Sequence, residues 1–520
     1  MHKFIHRIIS AIDQCASSPR SYLWLAIGVF VFELINLLNG NYSKDFWEHC
    51  AVINELSSHP VHPGHPIITG MIPHAFFSPY AVFIGFIGYV SGLDPFILLT
   101  VAGAINLILL LLAIRYFVFS VLTVNQEKTA FYFLLFLIFA WGPTAWRYSS
   151  FYHITTLHYV LPYPSTFSFI LTLFSIGFFM RQKNFASLKS IPVLLVCILF
   201  NAIVLITHPT TAIFLFVFLT VYAVTEYIKN RSFWLLPAFL SCLALPVLLA
   251  GIWPYFPFWD LLLVESKGSQ FHDASMVFYR RLFVRLLPLW LGIPLIWQQL
   301  KSKRTDLLAW SFIALLFVYI YGFITGQYGY GRIIFFLAMM LQLIIAFWFT
   351  QNEIIRGSGK LTLSFVFLIL MLLFPLFHLS MIGKNFIPGC NPQPHQELSV
   401  VKNFPHENRI VLSDLKTILY LPAYGAKVTA SLYPPYWIHD NDQRKSDIEI
   451  YFGNQSDNTL RLAILKKYRV THIVIDKNST KISDEGKRYS YGISSLVYSG
   501  NYYDVLEIND PGDDSSVPQQ

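Results

Sequence analysis

The sequence predicts a polytopic α-helical membrane protein that ends in an extracytoplasmic α/β domain. We expect about eleven transmembrane helices and one interfacial segment. Of 520 residues, 55% are hydrophobic and only 13% are charged, and the mean hydropathy is +0.52. Soluble globular chains carry roughly 25% charged residues. Apolar runs of about 17–25 residues, each long enough to cross a bilayer core, recur between residues 22 and 382.

Basic residues between these runs predict the orientation, because cytoplasmic loops carry an excess of Lys and Arg. Lys3, Arg7 and Arg20 precede the first span, so we expect the N-terminus inside and the next loop outside. The N-terminus lacks the features of a cleaved secretory signal, so the first span is expected to remain as an anchor. The predicted spans are 22–39, 96–120, 129–146, 161–180, 190–207, 210–226, 233–252, 283–299, 306–325, 332–350 and 361–382.

Residues 71–91 are apolar, but we do not expect them to cross the membrane. Counting this segment as a span would move every later basic cluster to the outside. Pro73, His74 and Pro79 suit an interfacial or re-entrant segment that packs against protein. An ordinary span is the alternative.

The chain changes character at about Gly383, where long apolar runs give way to short β-like ones. We predict strands in RIVLSDL (409–415), KVTAS (427–431), HIVID (472–476) and LVYSGNYYDVLEI (496–508), with an amphipathic helix in TLRLAILKKYRV (459–470). The predicted domains are a transmembrane module at 1–382, which includes the outward loop 40–70, an α/β domain at 383–510, and a disordered tail at 511–520.

Charge and cysteine content argue against three other classes of protein. The net charge of +8 could suggest nucleic-acid binding, but the basic residues form small clusters between spans, so no nucleic-acid partner is expected. Five cysteines without metal-like spacing argue against a disulfide framework and against a zinc module.

The first outward loop holds the best candidates for chemistry. Asp45, Glu48 and His49 are spaced i, i+3 and i+4, which places them on one face of a helix. A His-Pro series follows at His59-Pro60, His62-Pro63 and His65-Pro66. Its prolines exclude a regular helix, so we expect a stiff, irregular surface segment.

This arrangement resembles the GT-C superfamily of membrane glycosyltransferases, which includes protein mannosyltransferases, aminoarabinose transferases and oligosaccharyltransferases. The resemblance covers nearly the whole chain, from DFWEH and the His-Pro series through the spans to the outward α/β domain. THPTTAIF (207–214), GYGRIIFF (329–336) and LKKYRVTHIVID (465–476) are similar to recurring stretches of bacterial members. The resemblance implies sugar transfer from a polyprenyl-phosphate donor. The Asp-x-x-Glu spacing departs from the adjacent acidic pair of many members, which leaves open which carboxylate acts.

Such a transfer needs a base on the acceptor hydroxyl and charge stabilisation on the departing phosphate. A glycosidase protonates an alkoxide leaving group with a second carboxyl, whereas a phosphate leaves as a stable anion, so one carboxylate can suffice. We expect Asp45 to be the general base. Glu48 or His49 would orient Asp45 or tune its pKa. A solvated acidic face that caps the helix is the alternative for these residues.

Arginines on the outward side are the candidates for holding the donor phosphate, because the positive-inside rule makes cations unexpected there. Arginine binds phosphate in a bidentate manner and stays charged when it is partly desolvated. The alternative is snorkelling to lipid head groups. The candidates are Arg147, Arg280, Arg281 and Arg332, with Arg285 beside them in the sequence.

Histidines form the second set of candidates. We expect His62 and His65 in the first outward loop, and His153 and His158 in the second, to bind substrate. The His-Pro histidines could instead ligate a divalent cation. No other cofactor is expected, and the prolines argue against a fixed metal geometry.

The sequence therefore predicts an inverting glycosyltransferase at the outer face of a bacterial inner membrane, with its C-terminal domain periplasmic or extracellular. Its expected partners are a polyprenyl-phosphate-linked sugar, a glycan, lipid or protein acceptor, and membrane lipids. One alternative is a non-catalytic transporter or lipid flippase, although transporters place charged residues at mid-membrane. Another is a lipid-linked glycan ligase or polymerase, which would use a long diphosphate-linked glycan as donor.

Overall fold

The computed structural model shows two compact units. It describes residues 16, 18, 20–40, 42, 44–182, 184–263, 274–302, 306–350, 358–385, 394–403, 409–454, 456–509. The predicted tail at 511–520 lies outside these residues. The helical unit comprises the described residues within 1–41, 100–253 and 258–390. The sheet unit comprises those within 42–99, 254–257 and 391–520.

Seven helices of the described chain are long and apolar enough to cross a membrane, so the chain is an integral membrane protein. Two of them include a short 3-10 segment at their start, at Leu188–Ser190 and Tyr328–Ile333. The α-helical parts of the seven are α1 Ser21–Leu38, α4 Pro95–Val121, α6 Pro164–Arg181, α7 Ile191–Thr207, α8 Pro209–Asn230, α11 Leu307–Ile324 and α12 Ile334–Phe349.

The other four predicted spans form shorter or interrupted apolar helices. These are α5 Gln126–Phe139, α9 Leu235–Gly251, α10 Gly292–Ser302 and α13 Ser358–Phe377, of which Leu363–Phe377 is the apolar part. The predicted span at 283–299 is not one continuous helix. It divides into Leu282–Arg285, a 3-10 segment at Leu287–Leu291 and α10. Pro288 explains the break, because it cannot donate a helical hydrogen bond and its ring obstructs the preceding turn.

Helix α12 is the most buried of the seven. Its Gln342 is fully buried, and the Nε2 amide donates to the carbonyls of Phe136 and Ala140 at 3.1 and 3.3 Å. These carbonyls lie in the last turn of α5 and just beyond it, and that of Phe136 also accepts from the backbone N–H of Ala140 at 2.8 Å. A polar side chain on the central helix therefore fixes the end of α5.

Among its described residues, the sheet unit contains five α-helices and one five-stranded sheet. The helices are α2 Lys44–Ser58, α3 Pro79–Ser91, α14 Asn441–Phe452, α15 Asn458–Tyr468 and α16 Asp484–Gly492. The strands are β1 Ile410–Leu412, β2 Lys427–Val428, β3 His472–Asp476, β4 Ser494–Ser499 and β5 Tyr503–Ile508, in the order β2-β1-β3-β5-β4. The first three run parallel, whereas β5 is antiparallel to β3 and β4. Each predicted strand segment contains a strand, and α15 lies where a helix was predicted.

Helices α2 and α3 pack at close range because two glycines of α3 face α2. A Cβ atom on Gly85 would lie 2.4 Å from the Cβ of Leu56, and one on Gly88 would lie 2.2 Å from the Oγ of Ser57. Larger residues would push the helices apart. Helix α3 has 13 residues, a rise of about 20 Å, whereas a bilayer core is about 30 Å thick.

The first loop folds together with the C-terminal α/β region in one unit. Trp47 of α2 packs edge-on against the rings of His395 and Tyr420, with centroids 4.4 and 5.2 Å away. The backbone N–H of Val428 in β2 donates to the carbonyl of Ile67 at 2.8 Å. The contacts thus join two segments that lie far apart in the sequence. The domain bounds predicted above stay a prediction.

Candidate active site

Helix α2 carries the predicted catalytic residues, and burial separates their environments. Asp45 lies in the first turn and is exposed. Glu48 and His49 are only 2% and 7% exposed. The middle of α2 is buried because α3 and the short helical segments after β1 cover it. Of the two carboxylates, only Asp45 is therefore accessible to a substrate hydroxyl.

Glu48 pairs with a histidine from the segment predicted to be interfacial. The Nε2 of His74 lies 3.4 Å from Oε1 of Glu48, and both side chains are buried. The other ring nitrogen of His74, Nδ1, accepts a hydrogen bond from the backbone N–H of Phe76 at 3.3 Å. Since Nδ1 is an acceptor, the proton of the neutral ring is on Nε2, the nitrogen nearer to Glu48. His74 is therefore a close neighbour of the Glu48 carboxyl, although the two groups form no hydrogen bond.

Burial keeps this cluster uncharged. Desolvation, with a smaller contribution from the negative charge of Asp45, raises the pKa of Glu48 well above its usual range. Desolvation lowers the pKa of His49 to about 3, and together with weaker repulsion by nearby positive charges it lowers the pKa of His74 to about 3. Charged forms of these groups lose more hydration than the interior returns.

The two histidines predicted to bind substrate in the first loop differ in exposure. His62 is exposed, whereas His65 is 1% exposed. Nδ1 of His65 accepts hydrogen bonds from the backbone N–H groups of Ile67 and Ile68, each at 3.2 Å. Its ring meets that of His74 edge-on with centroids 5.0 Å apart. His65 thus belongs to the buried cluster behind Asp45.

A pocket in the helical unit brings two arginines together. It has a volume of about 380 Å³ and is lined by Arg147, Arg285, His378, Thr144 and Trp146, among others. The guanidinium of Arg285 lies over the Trp146 ring, 4.7 Å from its centroid. Because two arginine side chains line this pocket, it is suitable for binding an anion.

Two hydrogen bonds join the chain segments that form the pocket. The N–H of Gly142 donates to the carbonyl of Arg285 at 2.9 Å, and the indole N–H of Trp146 donates to the carbonyl of Val277 at 3.0 Å. A Cβ atom at residue 142 would lie only 1.7 Å from the carbonyl oxygen of Val284. Gly142 is therefore required for this close approach.

The remaining predicted phosphate-binding arginines lie near the same region of the helical unit but do not line the pocket. The guanidinium of Arg332 lies over Phe278, 5.7 Å from the ring centroid, and Phe278 in turn contacts Tyr148 with centroids 5.1 Å apart. Arg280 and Arg281 are exposed. Arg281 has φ +56°, a left-handed conformation that is unusual for a residue with a side chain.

His153 and His158 are both buried within the helical unit. Nε2 of His153 lies 2.7 Å from the carbonyl oxygen of Trp146, and Nδ1 lies 3.0 Å from the hydroxyl of Thr155. Nδ1 of His158 lies 3.4 Å from Oε2 of Glu33, which is fully buried in α1. A role in substrate binding stays a prediction for both histidines.

Three residues of these clusters were missed or underused by sequence reasoning. Glu33 could have been noticed as an acidic residue inside an apolar span, which is uncommon. His74 was used as an argument against a span and was not predicted as a neighbour of Glu48, and Arg285 was grouped with its neighbours without a role. Among the described residues, no group of three or more His, Cys, Asp or Glu side chains could hold a metal ion.

Comparison with known proteins gives matches by structure alone. No protein-family model matches the sequence, and no curated protein matches it either. ArnT from Cupriavidus metallidurans in the apo state is similar with a TM-score of 0.55 at 13% identity, over 94% of this chain and 98% of that one. The same protein bound to undecaprenyl phosphate gives a TM-score of 0.54 at 12% identity, over 97% of this chain and 100% of that one.

The archaeal oligosaccharyltransferase AglB from Archaeoglobus fulgidus is also similar. In its complex with an inhibitory peptide and a dolichol-phosphate, it matches with a TM-score of 0.54 at 11% identity, over 94% of this chain and 74% of that one. At such low identity the matches establish the fold. They confirm the predicted architecture of a helical membrane module with an α/β domain.

Proposed function

We propose that this chain, which has the fold of the GT-C membrane glycosyltransferases, is an inverting glycosyltransferase. It would move a sugar from a polyprenyl-phosphate donor to a glycan, lipid or protein hydroxyl at the outer face of a bacterial inner membrane. The proposal rests mainly on one observation, an exposed Asp45 one helical turn from a buried carboxyl that contacts His74. Structures of its fold relatives with undecaprenyl phosphate and dolichol-phosphate support this class of donor.

Asp45 acts as the general base in this proposal. Its carboxylate takes the proton of the acceptor hydroxyl while the oxygen attacks the anomeric carbon from the face opposite the phosphate. The bond between that carbon and the phosphate oxygen breaks, its electron pair leaves with the phosphate, and the configuration inverts. Glu48 is unsuited to this role because it is buried and its raised pKa makes it hold a proton more tightly.

The arginines stabilise the charge that develops on the departing phosphate. Arg147 and Arg285 line one pocket and are our first candidates, with Arg332, Arg280 and Arg281 as further ones. Fixed cations in a partly desolvated site stabilise such charge more effectively than mobile water. Since the phosphate leaves as an anion, no side chain has to protonate it.

Asp45→Asn tests the assignment of the base. We expect it to abolish release of undecaprenyl phosphate from undecaprenyl-phosphate-linked sugars, because the amide cannot take up the acceptor proton. Binding of undecaprenyl phosphate and the thermal unfolding midpoint should stay at wild-type values. The matched control is Asp442→Asn, another first-turn aspartate of the sheet unit, whose side chain is 86% exposed. Full turnover by Asp45→Asn would remove Asp45 from the mechanism.

Arg147→Gln and Arg285→Gln test the phosphate pocket. Each substitution removes a charge-assisted hydrogen bond, so we expect the affinity for undecaprenyl phosphate to fall about 10-fold to 100-fold. The control is Arg231→Gln, because Arg231 is an exposed arginine at the end of α8. Binding by titration in detergent would measure the effect. If Arg147→Gln and Arg285→Gln bind undecaprenyl phosphate as tightly as the control Arg231→Gln does, other residues bind the phosphate.

A further inference from the structure

A lysine of the α/β region connects the sheet to the first loop. Lys427 begins the edge strand β2, and its side chain is largely buried. Its ammonium group donates to Oε2 of Glu55 in α2 at 2.6 Å and to the backbone carbonyl of His65 at 2.6 Å. One side chain therefore contacts both α2 and residues 59–66, which carry the His-Pro series and are called the His-Pro segment below.

Glu55 extends the connection through its second oxygen. Oε1 accepts a hydrogen bond from the backbone N–H of Gly64 at 2.8 Å and lies 3.3 Å from Nδ1 of His59. A Cβ atom at residue 64 would lie 3.2 Å from this oxygen, so glycine allows the close approach. The carboxylate thus contacts the His-Pro segment at two positions, residues 59 and 64.

The backbone adds a second connection that does not depend on charge. The N–H of Val428 donates to the carbonyl of Ile67 at 2.8 Å, which extends the sheet beyond its edge strand by one hydrogen bond. Within the loop, the N–H of His65 donates to the carbonyl of Gly70 at 2.9 Å. The loop is therefore closed on itself and held at the sheet edge.

We propose that Lys427 is a positioning residue, through which the α/β region holds the His-Pro segment and α2 in the geometry needed for catalysis. The inference rests on the proposed function, because its purpose is to place Asp45. The ammonium group holds the backbone carbonyl of His65, the His65 ring packs against His74, and His74 contacts Glu48, one helical turn from Asp45. This gives the α/β region a defined task in the reaction.

The ion pair between Lys427 and Glu55, called the clamp below, is sensitive to the loss of either charge. Burial lowers the pKa of Lys427, and the neighbouring Glu55 opposes that effect. The Glu55 side chain is only 10% exposed, and a carboxylate in such a setting is costly to leave without its cation. Removing the lysine charge should therefore release Glu55 together with the segment that it holds.

Hydrogen exchange of the full chain in detergent tests the clamp directly. We expect Lys427→Met to speed exchange of the amides of Gly64 and His65 about 10-fold or more, since their region loses its anchor. Lys467→Met is the matched control. Its ammonium group pairs with Oδ2 of Asp447 at 2.7 Å in the same unit, but that pair joins α14 to α15. The control should leave exchange at residues 64 and 65 unchanged.

Turnover distinguishes positioning from general stability. With a membrane extract as acceptor source, Lys427→Met should lower kcat for release of undecaprenyl phosphate about 10-fold to 100-fold and leave the KM of the donor unchanged. Lys427→Arg should restore part of both exchange protection and kcat. The proposal would be overturned if Lys427→Met exchanged the amides of residues 64 and 65 at the wild-type rate. It would also be overturned if these amides exchanged faster while kcat stayed at the wild-type value. If the wild-type chain itself releases no undecaprenyl phosphate, the proposed function fails, whereas the exchange comparison still decides whether Lys427 holds the segment.

Discussion

The residues around Asp45 illustrate how burial assigns chemistry to similar side chains. Asp45 and Glu48 lie one helical turn apart, yet only Asp45 is exposed. Behind them, His49, His65 and His74 are buried in neutral form. Desolvation, with a smaller effect of nearby positive charges, lowers the pKa of His65 to about 2. Of the two carboxylates of this cluster, only that of Asp45 is therefore accessible.

The buried histidines predict that acid destabilises the sheet unit. Their pKa values lie at about 2 to 3 in the fold, against 6.5 for an exposed histidine. As the pH falls below 6.5, the unfolded chain binds protons that the folded unit does not, so the free energy of unfolding falls. At pH 5 we expect each histidine to contribute a loss of about 2 kcal/mol relative to neutral pH. Glu48 partly offsets this loss, because its raised pKa lets the folded unit hold a proton that the unfolded carboxyl releases. Denaturant unfolding in detergent at several pH values would measure it.

His49→Phe serves as the comparison for this pH dependence. His49 stacks on Phe76 with centroids 4.9 Å apart, and phenylalanine offers a ring for the same contact. The variant has one titrating group fewer, so its stability should fall less steeply between pH 7 and pH 5. Identical slopes in the variant and the wild type would mean that His49 is not held neutral.

At the scale of elements, the pairing of α2 with α3 fixes the helix that bears Asp45. Gly85 and Gly88 let the two helices approach closely. The opposite face of α3 exposes large apolar side chains, which suits contact with lipid at the membrane surface. These are Phe83, Phe86, Ile87 and Val90. Helix α3 therefore packs with one face against α2, the predicted catalytic helix, and exposes an apolar surface on its opposite face.

Gly85→Ala should destabilise the sheet unit. The added methyl group would lie 2.4 Å from the Cβ of Leu56, so the helices must separate at a cost of about 1–3 kcal/mol. Gly28→Ala in α1 is the control, because no atom lies within 4 Å of the position that its methyl group would take. Thermal unfolding midpoints in detergent compare the two variants. A midpoint of Gly85→Ala at or above that of Gly28→Ala would contradict the close packing.

At the scale of the whole molecule, the predicted topology depends on whether residues 71–91 cross the membrane. The helical part of this segment, α3, is shorter than a bilayer core is thick. It packs against α2, and both helices belong to the unit that holds the strands of the α/β region. We therefore retain the prediction that the segment stays on one side.

Cysteine labelling in a cysteine-free background tests this topology. We expect Asp45→Cys and Asp94→Cys to react with a membrane-impermeant maleimide from the outside. Lys128→Cys, directly before the predicted span at 129–146 and expected on the cytoplasmic side, should react only after the membrane is permeabilised. Labelling of position 94 from the cytoplasmic side would show that residues 71–91 cross, and the predicted orientation of all later spans would then be reversed.

The sequence predicted the architecture well because the relevant signals are local. Long apolar runs became helices, and HIVID became β3 at the predicted residues. The predicted span at 283–299 shows the limit of hydropathy, which averages over Pro288 although one proline suffices to end a helix. Asp45, Glu48 and His49 do lie on one helix, as their spacing indicated.

By itself, the sequence determined a membrane-embedded helical fold, a C-terminal sheet and a helix that carries Asp45, since hydropathy and residue spacing act over a few turns of chain. Only the tertiary structure decided that Glu48 is buried against His74, that Arg147 and Arg285 share a pocket, and that Lys427 clamps Glu55. The Lys427–Glu55 contact joins residues 372 positions apart. Such pairings follow from the tertiary packing within each unit, and no local pattern encodes them.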